Sequence, residues 1–501
     1  IQHIEGTKNV TVNQYDPLSY RNTMGEVNFG FNYDLNDENS IGASYDLECE
    51  PYAKGHADGQ QEIFNEGQPV DIIKQKVLAD DIGGPTHELN AYYVGKVNKL
   101  GVDFNGTYLW QKTGRDMLET EEATVLENRE IHTASRRHNQ LLAGKLVLSY
   151  PIAKGQLELG SEVSHTHSSG EYSNAEGIVA DASTDMKEDN LAGFLAFSYP
   201  LGSFSMDAGL RYEYVSAKYY SFGKFEEEPS KKYSNWFPNL TLSWNKEPWA
   251  ASLAYTCKTK RPSYSSLRNE VQYDNRYMYE GGDPYLRPTI AHDVSLDVMC
   301  NWISFGVEYL YEDNPIIWYA TLYNHQDIAF LRNVNFSSKQ TMTAYVIAAP
   351  KFDWYQPTWQ VFFQKPFFDA EKYGAPRGLS KPALGITWNN KFKLSSTWTS
   401  WVTLHANTTS YNAFRRYRSG YFASMRMVKT FFDEALTVNF YADDIFRSQK
   451  DQWTMYGDHA TLTKDSYNSA REIGVRVVYK FNSGHRKYKG SGAGNAEKSR
   501  F

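Results

Sequence analysis

Apolar and polar residues alternate along most of this chain. "EVNFGFNY" sets Val27, Phe29, Phe31 and Tyr33 on one face and Glu26, Asn28, Gly30 and Asn32 on the other. "GVDFNGTYLW" sets Val102, Phe104, Tyr108 and Trp110 against Asp103, Asn105 and Thr107. The same holds for Phe204, Met206, Leu210, Tyr212 and Tyr214 against Ser205, Asp207, Arg211 and Glu213. Near the end, Ile473, Val475, Val477, Tyr479 and Phe481 oppose Glu472, Arg476 and Lys480. A period of two marks a strand with unlike faces. The connections alternate as well. Short turns are expected near Asn36, Lys99, Ala153, Leu201, Lys246, Asn301, Tyr355, Lys393 and Asp433. Long polar loops are expected at 50–85, 168–188, 261–290 and 447–464. The short turns recur about every 40 to 60 residues. Together with a strand in "TKNVTVNQY", this predicts roughly twenty antiparallel strands.

An open sheet of that size would curl or split and would leave bare edges. A transmembrane β-barrel resolves this by closing the sheet. Its apolar face meets lipid, its polar face lines the lumen, and short periplasmic turns alternate with long outer loops. Composition fits. Aromatic residues make up 15% of the 501 residues, and many sit near strand ends, as Tyr33, Trp110, Tyr150, Tyr199, Trp244, Trp249, Trp302 and Tyr479 do. Mean hydropathy is −0.59, and no apolar run approaches the roughly 20 residues of a membrane helix. The net charge of −7 gives no basic footprint for nucleic acid. Three scattered cysteines, Cys49, Cys257 and Cys300, rule out a disulfide scaffold and form no paired metal motif. The fold class expected is all-β: a large antiparallel transmembrane barrel over residues 1–481, then a flexible, basic, periplasmic tail over 482–501.

Three segments carry a family resemblance: "YSNWFPNLTLSW", "LAYTCKTKRPSYSSL" and "YEGGDPYLRPTIAHDVSL". Their order and spacing resemble the barrel of TonB-dependent outer-membrane receptors, in the branch common in Bacteroidetes. The pattern falls on Phe237 and Pro238 at a strand start, and on Arg261 and Pro262 at a strand end. After one loop it falls on Gly282, Asp283, Pro284, Leu286 and Pro288. Asp283 stands where the family usually has Asn, and Thr289 where it usually has Glu. The resemblance implies a barrel of about 22 strands around a plugged lumen. Nothing here resembles the plug, so the chain is expected to be a C-terminal portion of a receptor that lacks the plug and the first hairpin. The resemblance also implies partners: outer-membrane lipid and lipopolysaccharide, the TonB complex acting through that plug, and a surface-exposed substrate-binding lipoprotein.

Candidate chemistry is sparse. "EGGDPYLRP" is glycine-rich, but Pro284 and Pro288 bar the helix a phosphate loop needs, so it reads as a loop diving back into the wall. His165 and His167 share one strand face without an evident third metal ligand. The acidic stretch 181–189 matches no EF-hand and reads as a solvated outer loop. Arg415, Arg416 and Arg418 form a basic-aromatic cluster, read as a rim feature or as a contact for anionic lipid. No nucleophile elbow, zinc-protease helix or cysteine–histidine constellation is present, so no enzyme, cofactor or metal is expected. The expected ligand contacts are loop aromatics: Tyr273, Tyr277, Tyr279, Tyr285, Tyr323 and Tyr411, suited to stacking on glycans, peptides, haem-like rings or metal chelates. The alternative is that these tyrosines pack on one another. The function expected is uptake through the outer membrane. Two alternatives stand beside it, a substrate-free structural or secretion barrel and a soluble multi-sandwich carbohydrate-binding or hydrolytic protein.

Overall fold

The computed structural model describes residues 1–481 and 489–501. One 25-stranded sheet holds nearly all of the chain. Its wall is a continuous antiparallel series of nineteen strands, running from Leu18–Asn36 and Asn39–Asn65 to Leu436–Asp443 and Glu472–Tyr479. All nine short turns lie where the sequence puts them. The turn between Ala182–Leu201 and Phe204–Ser221, for example, is closed by Gly202 at φ 68°. No helix is long and apolar enough to cross a membrane.

The alternation is realised inside out. Phe29, Phe31 and Val477 stand exposed on the outside, Phe31 at 57% and Val477 at 62%. Asn105 and Thr107 on the other face are buried at 1% and 2%. Val294 and Leu296, after the glycine-rich loop, are exposed outward as expected. Inside, polar side chains bond to one another along and across strands. Thr107 Oγ1 donates to Asn90 at 2.7 Å, Asn139 Nδ2 to Gln111 at 3.0 Å, and Arg211 to Glu213 and Glu162 at 2.6 and 3.0 Å. A row of rings crosses five neighbouring strands on the outer surface. Tyr45, His87, Trp110, His138 and His167 follow one another at centroid distances of 5.3 to 6.4 Å. Such a row is the interfacial girdle of a membrane barrel.

Two expectations change here. The segments read as long loops at 50–85 and 168–188 are mostly strand. Asn39–Asn65 and Gln68–Val97 form one long hairpin around Glu66 and Gly67, and the acidic stretch belongs to Ala182–Leu201. These strands extend beyond the membrane, where each face mixes polar and apolar residues, so hydrophobic alternation fades although pairing continues. The tail also differs. Residues 489–501 pack against the polar inner wall, where charged and small groups find partners that solvent would otherwise supply. Residues 482–488 of that tail lie outside the described residues.

The largest buried apolar cluster sits in an outer cap and not between wall strands. Ile4 and Val12 of the first hairpin meet Tyr319, Phe336, Phe368, Phe414 and Met455 there. Gln2–Glu5 pairs with Asn9–Tyr15 and with Ala460–Ser466, tying the first and last parts of the chain together at the outer rim. Within the wall, among the described residues, Leu18–Asn36 pairs only with Asn39–Asn65, and Glu472–Tyr479 only with Leu436–Asp443.

The two faces should respond oppositely to charge. Leu296→Arg is expected to destabilise the folded barrel in lipid vesicles by about 2–4 kcal/mol, the cost of a lipid-facing cation near the midplane. Ser295→Arg, facing the lumen, is expected to cost far less. Denaturant titration of the vesicle-inserted protein measures both.

Candidate functional site

Two loops fold inward together, the polar one at 261–290 and the next one along the chain. Val271–Asn275 and Met278–Gly281 form a hairpin in the loop after Trp249–Lys260. Ile316–Leu322 and Ala329–Asn335 form a second hairpin in the next loop. Met278–Gly281 pairs in parallel with Ala329–Asn335, giving a separate four-stranded sheet. This small sheet reaches the far wall. Tyr273 Oη donates to Glu121 at 2.8 Å, Arg276 Nε donates to the same carboxylate, and Asn275 Nδ2 donates to Gln14 at 3.1 Å.

The family motifs lie around this arrangement. Phe237 is buried in the wall. Asp283 N donates to Ser266 O at 2.7 Å, and the Asp283 carboxylate accepts from Tyr285 N at 2.9 Å. A Cβ on Gly282 would lie 2.2 Å from the carbonyl of Arg268, so the backbones approach too closely for any side chain. Lys231, on the neighbouring strand, donates to the carbonyls of Pro284 and Leu286, and burial pushes its ammonium down to about 8. Leu286 is buried, and Pro284, Leu286 and Pro288 border one small pocket with Pro262 and Tyr264. The glycine-rich segment is therefore a packing device.

A cavity of about 510 Å³ lies between the small sheet and the long outer strands. Asp16, Gln75, Glu119, Arg137, Tyr273 and Asp274 are among the residues facing it. Carboxyl groups outnumber cations on its lining, Asp16, Asp81, Glu119, Asp274 and Glu280 against Arg115 and Arg137. Arg115 is engaged by Asp81 and Arg137 lies 3.4 Å from Glu270, whereas among the described residues Asp16, Glu119, Asp274 and Glu280 form no ion pair. Burial, with Glu121 and Asp274 nearby, pushes the Glu119 carboxyl up to about 9 despite a 2.6 Å hydrogen bond from Gln75. Asp274 keeps some surface open to the cavity but lies deep in the interior. Burial, then Glu280 and Asp16, push its carboxyl up to about 7. Burial also raises Glu280 and Asp16.

The six loop tyrosines do not form one site. Tyr273, Tyr279 and Tyr323 stack in series at 5.6 and 5.0 Å, and of these Tyr273 borders the cavity. Tyr277 and Tyr411 pack against the cap core, and Tyr285 is exposed alone. His165 and His167 meet Asp189 and Asp185 at 2.7 and 2.6 Å, and no metal cluster occurs among the described residues. Arg415 stacks over Trp453 at 4.8 Å in an outer hairpin. The carboxylates of the cavity were missed individually. Their signal was weak but present: "LETEE" places Glu119 and Glu121 on the same inner face of one strand.

An outward apolar surface, a hydrogen-bonded polar lumen and an inward-folded outer cap define an outer-membrane β-barrel. The chain belongs to the outer membrane protein beta-barrel family, whose pattern matches residues 95–479, and it resides in the outer membrane. No curated protein matches it in sequence. Solved structures share the fold at low identity. The copper transporter OprC superposes with a TM-score of 0.63 at 10% identity, covering 95% of this chain and 81% of that one. The siderophore receptor PirA from Acinetobacter baumannii gives 0.56 at 10%, covering 95% and 81%. The FrpB iron transporter from Neisseria meningitidis gives 0.52 at 13%, covering 95% and 82%.

A carboxyl raised on folding holds a proton that the unfolded chain has released. For Glu119 this applies between about pH 4.5 and 9, so its contribution to stability falls as pH rises through that window. Glu119→Gln is expected to flatten the decline of the thermal midpoint across that range and to leave acidic stability nearly unchanged. Circular dichroism melts at successive pH values measure this.

Proposed function

We propose that this chain is the barrel of a TonB-dependent receptor that imports a ligand across the outer membrane. The supporting observation is the cap: two loops fold inward as a sheet and enclose a polar cavity above the lumen, as an importer's outer chamber requires. Transport through such a barrel needs an energised plug, so coupling to the TonB complex through a plug domain belongs to the proposal. Lipopolysaccharide around the aromatic girdle and a surface lipoprotein over the cap belong to it too, as does an origin in the Bacteroidetes.

The cavity favours a ligand bearing positive charge, because buried carboxylates without cations lose repulsion when a cation enters. Tyr273, on the same wall, offers an aromatic face to such a ligand. A cationic metal chelate or a basic peptide fits this chemistry better than an acidic one. The tyrosine stack of Tyr273, Tyr279 and Tyr323 mainly holds the cap together in this reading.

Binding by the detergent-solubilised chain tests the proposal, with copper(II), a positively charged ferric hydroxamate, a lysine-rich peptide and an anionic ferric catecholate as probes. At least one cationic probe is expected to bind. Asp274→Asn with Glu280→Gln should weaken it about tenfold, a loss of roughly 1.4 kcal/mol. Preference for the anionic probe, or indifference to the double variant, would overturn the cationic reading.

A further inference from the structure

Residues 489–501, "KGSGAGNAEKSRF", follow the inner wall from one end of the lumen to the other. Lys489 Nζ donates to Asp34 at 3.1 Å and to Ser40 at 2.7 Å, on either side of a short periplasmic turn. Further up, the amides of Ser491 and Gly492 donate to Asn105 Oδ1 at 2.9 and 3.2 Å. The Ala493 amide donates to Thr107 at 3.0 Å and the Gly494 amide to Glu162 at 3.1 Å. At the outer end Arg261 Nη1 and Asn190 Nδ2 both donate to Glu497 at 2.9 Å. Arg500 donates to Glu188 through both terminal nitrogens and to Pro262 O through Nε at 2.9 Å. Tyr264 N closes the contact by donating to Arg500 O at 2.9 Å.

The fit is specific in charge and in size. Each charged side chain of the segment meets an opposite charge on the wall: Lys489 with Asp34, Glu497 with Arg261, Lys498 with Glu88, and Arg500 with Glu188. Glu497, Arg500, Glu188 and Arg261 are all nearly free of solvent. Ala493 is fully buried against Leu109, Leu141 and Ala143, and a Cβ on Gly494 would lie 2.7 Å from that of Ala143. Arg500 lies over the Tyr264 ring at 4.2 Å, and Phe501 stacks on the same ring at 5.5 Å. Buried charges without partners cost several kcal/mol each, and with the segment in place each of these charges is paired: Arg261 with both Glu213 and Glu497, and Glu188 with Arg500.

We propose that the inner wall is a docking track for a peptide, and that its occupant is this chain's own segment 489–501, which narrows the lumen as a tethered, displaceable strap. The Arg-Pro-Ser-Tyr motif then has a role beyond loop packing: Arg261, Pro262 and Tyr264 are the outer anchor of the track. The same track accepts free peptides that repeat the segment's pattern, small residues followed by Glu-Lys-Ser-Arg-Phe. The proposal rests on the barrel fold and is independent of which ligand the outer cavity takes.

The test uses planar-bilayer conductance and peptide binding. A chain ending at Phe481, its folding checked by heat-modifiable gel migration, is expected to conduct more than the full chain. Synthetic KGSGAGNAEKSRF added to it should restore the lower conductance, while a scrambled peptide should not. Glu188→Arg should weaken that peptide about a hundredfold or more, and the Arg500→Glu peptide should recover much of the loss. In the full chain Arg500→Glu alone should raise conductance, which covers the case where the shortened chain does not fold. Equal conductance of the full chain and its Arg500→Glu variant, or equal binding of native and scrambled peptides, would overturn the proposal. Because no transported ligand enters this test, its failure leaves the uptake reading standing, and the reverse also holds.

Discussion

Hydrocarbon offers no hydrogen-bond partner, so every polar group at membrane depth in this chain has to be satisfied from within. The wall meets that constraint with backbone pairing along nineteen strands, of which, among the described residues, the first and last are paired on one edge only, and with side-chain bonds on its inner face, such as Thr107 to Asn90 and Arg211 to Glu213. The rest follows from it. Apolar residues are turned outward, where Phe29 and Leu296 are exposed to lipid. A conventional core then has no place between the wall strands. It forms instead in the outer cap, where Tyr319, Phe336, Phe368 and Phe414 pack edge to face. The lumen, lined by charge, takes a charged occupant.

The same few residues connect these parts. Arg261 ends a wall strand, binds Glu213 on one side at 2.6 Å, and binds Glu497 of the tail on the other. Ser266, five positions on, holds Asp283 and thereby the loop that carries the small sheet. The small sheet in turn closes the acidic cavity through Tyr273 and Arg276 on Glu121. Movement of the tail therefore bears on the segment that anchors the cap, through a continuous set of hydrogen bonds.

The membrane-spanning fold was legible in sequence because lipid imposes a strict period of two. Val27 to Tyr33 carries it without interruption, and Val475 to Phe481 breaks it only at Val478; the nine short turns follow from where it stops. The outer strands were less legible. Between residues 50 and 85 the outer face meets water and the inner face mixes polar with apolar residues under the cap, Gln61 with Ile63 and Gln75 with Ile73, so pairing persists while the hydrophobic alternation blurs. The small sheet was hidden for a related reason: Val271–Asn275 and Met278–Gly281 are too short to show a period. The motif residues were visible as a family pattern, but their mutual contact depends on a close backbone approach at Gly282 that spacing alone does not reveal. The tail misled because glycine and lysine describe a flexible solvated segment when no partner is known. Its partners, Glu188, Glu162 and Asn105, are hundreds of residues away in sequence. The acidic cavity showed only in the spacing of Glu119 and Glu121, for the same reason: Asp16, Glu119 and Asp274 converge only in the folded cap.

The account turns on the direction of the two faces in the wall. Nitroxide labels placed singly from Asp293 to Val298, after replacement of the native cysteines, report this through collision with oxygen dissolved in the bilayer. The structure predicts high oxygen accessibility at Val294, Leu296 and Val298 and low accessibility at Asp293, Ser295 and Asp297. A flat profile, or maxima at the odd positions, would contradict it.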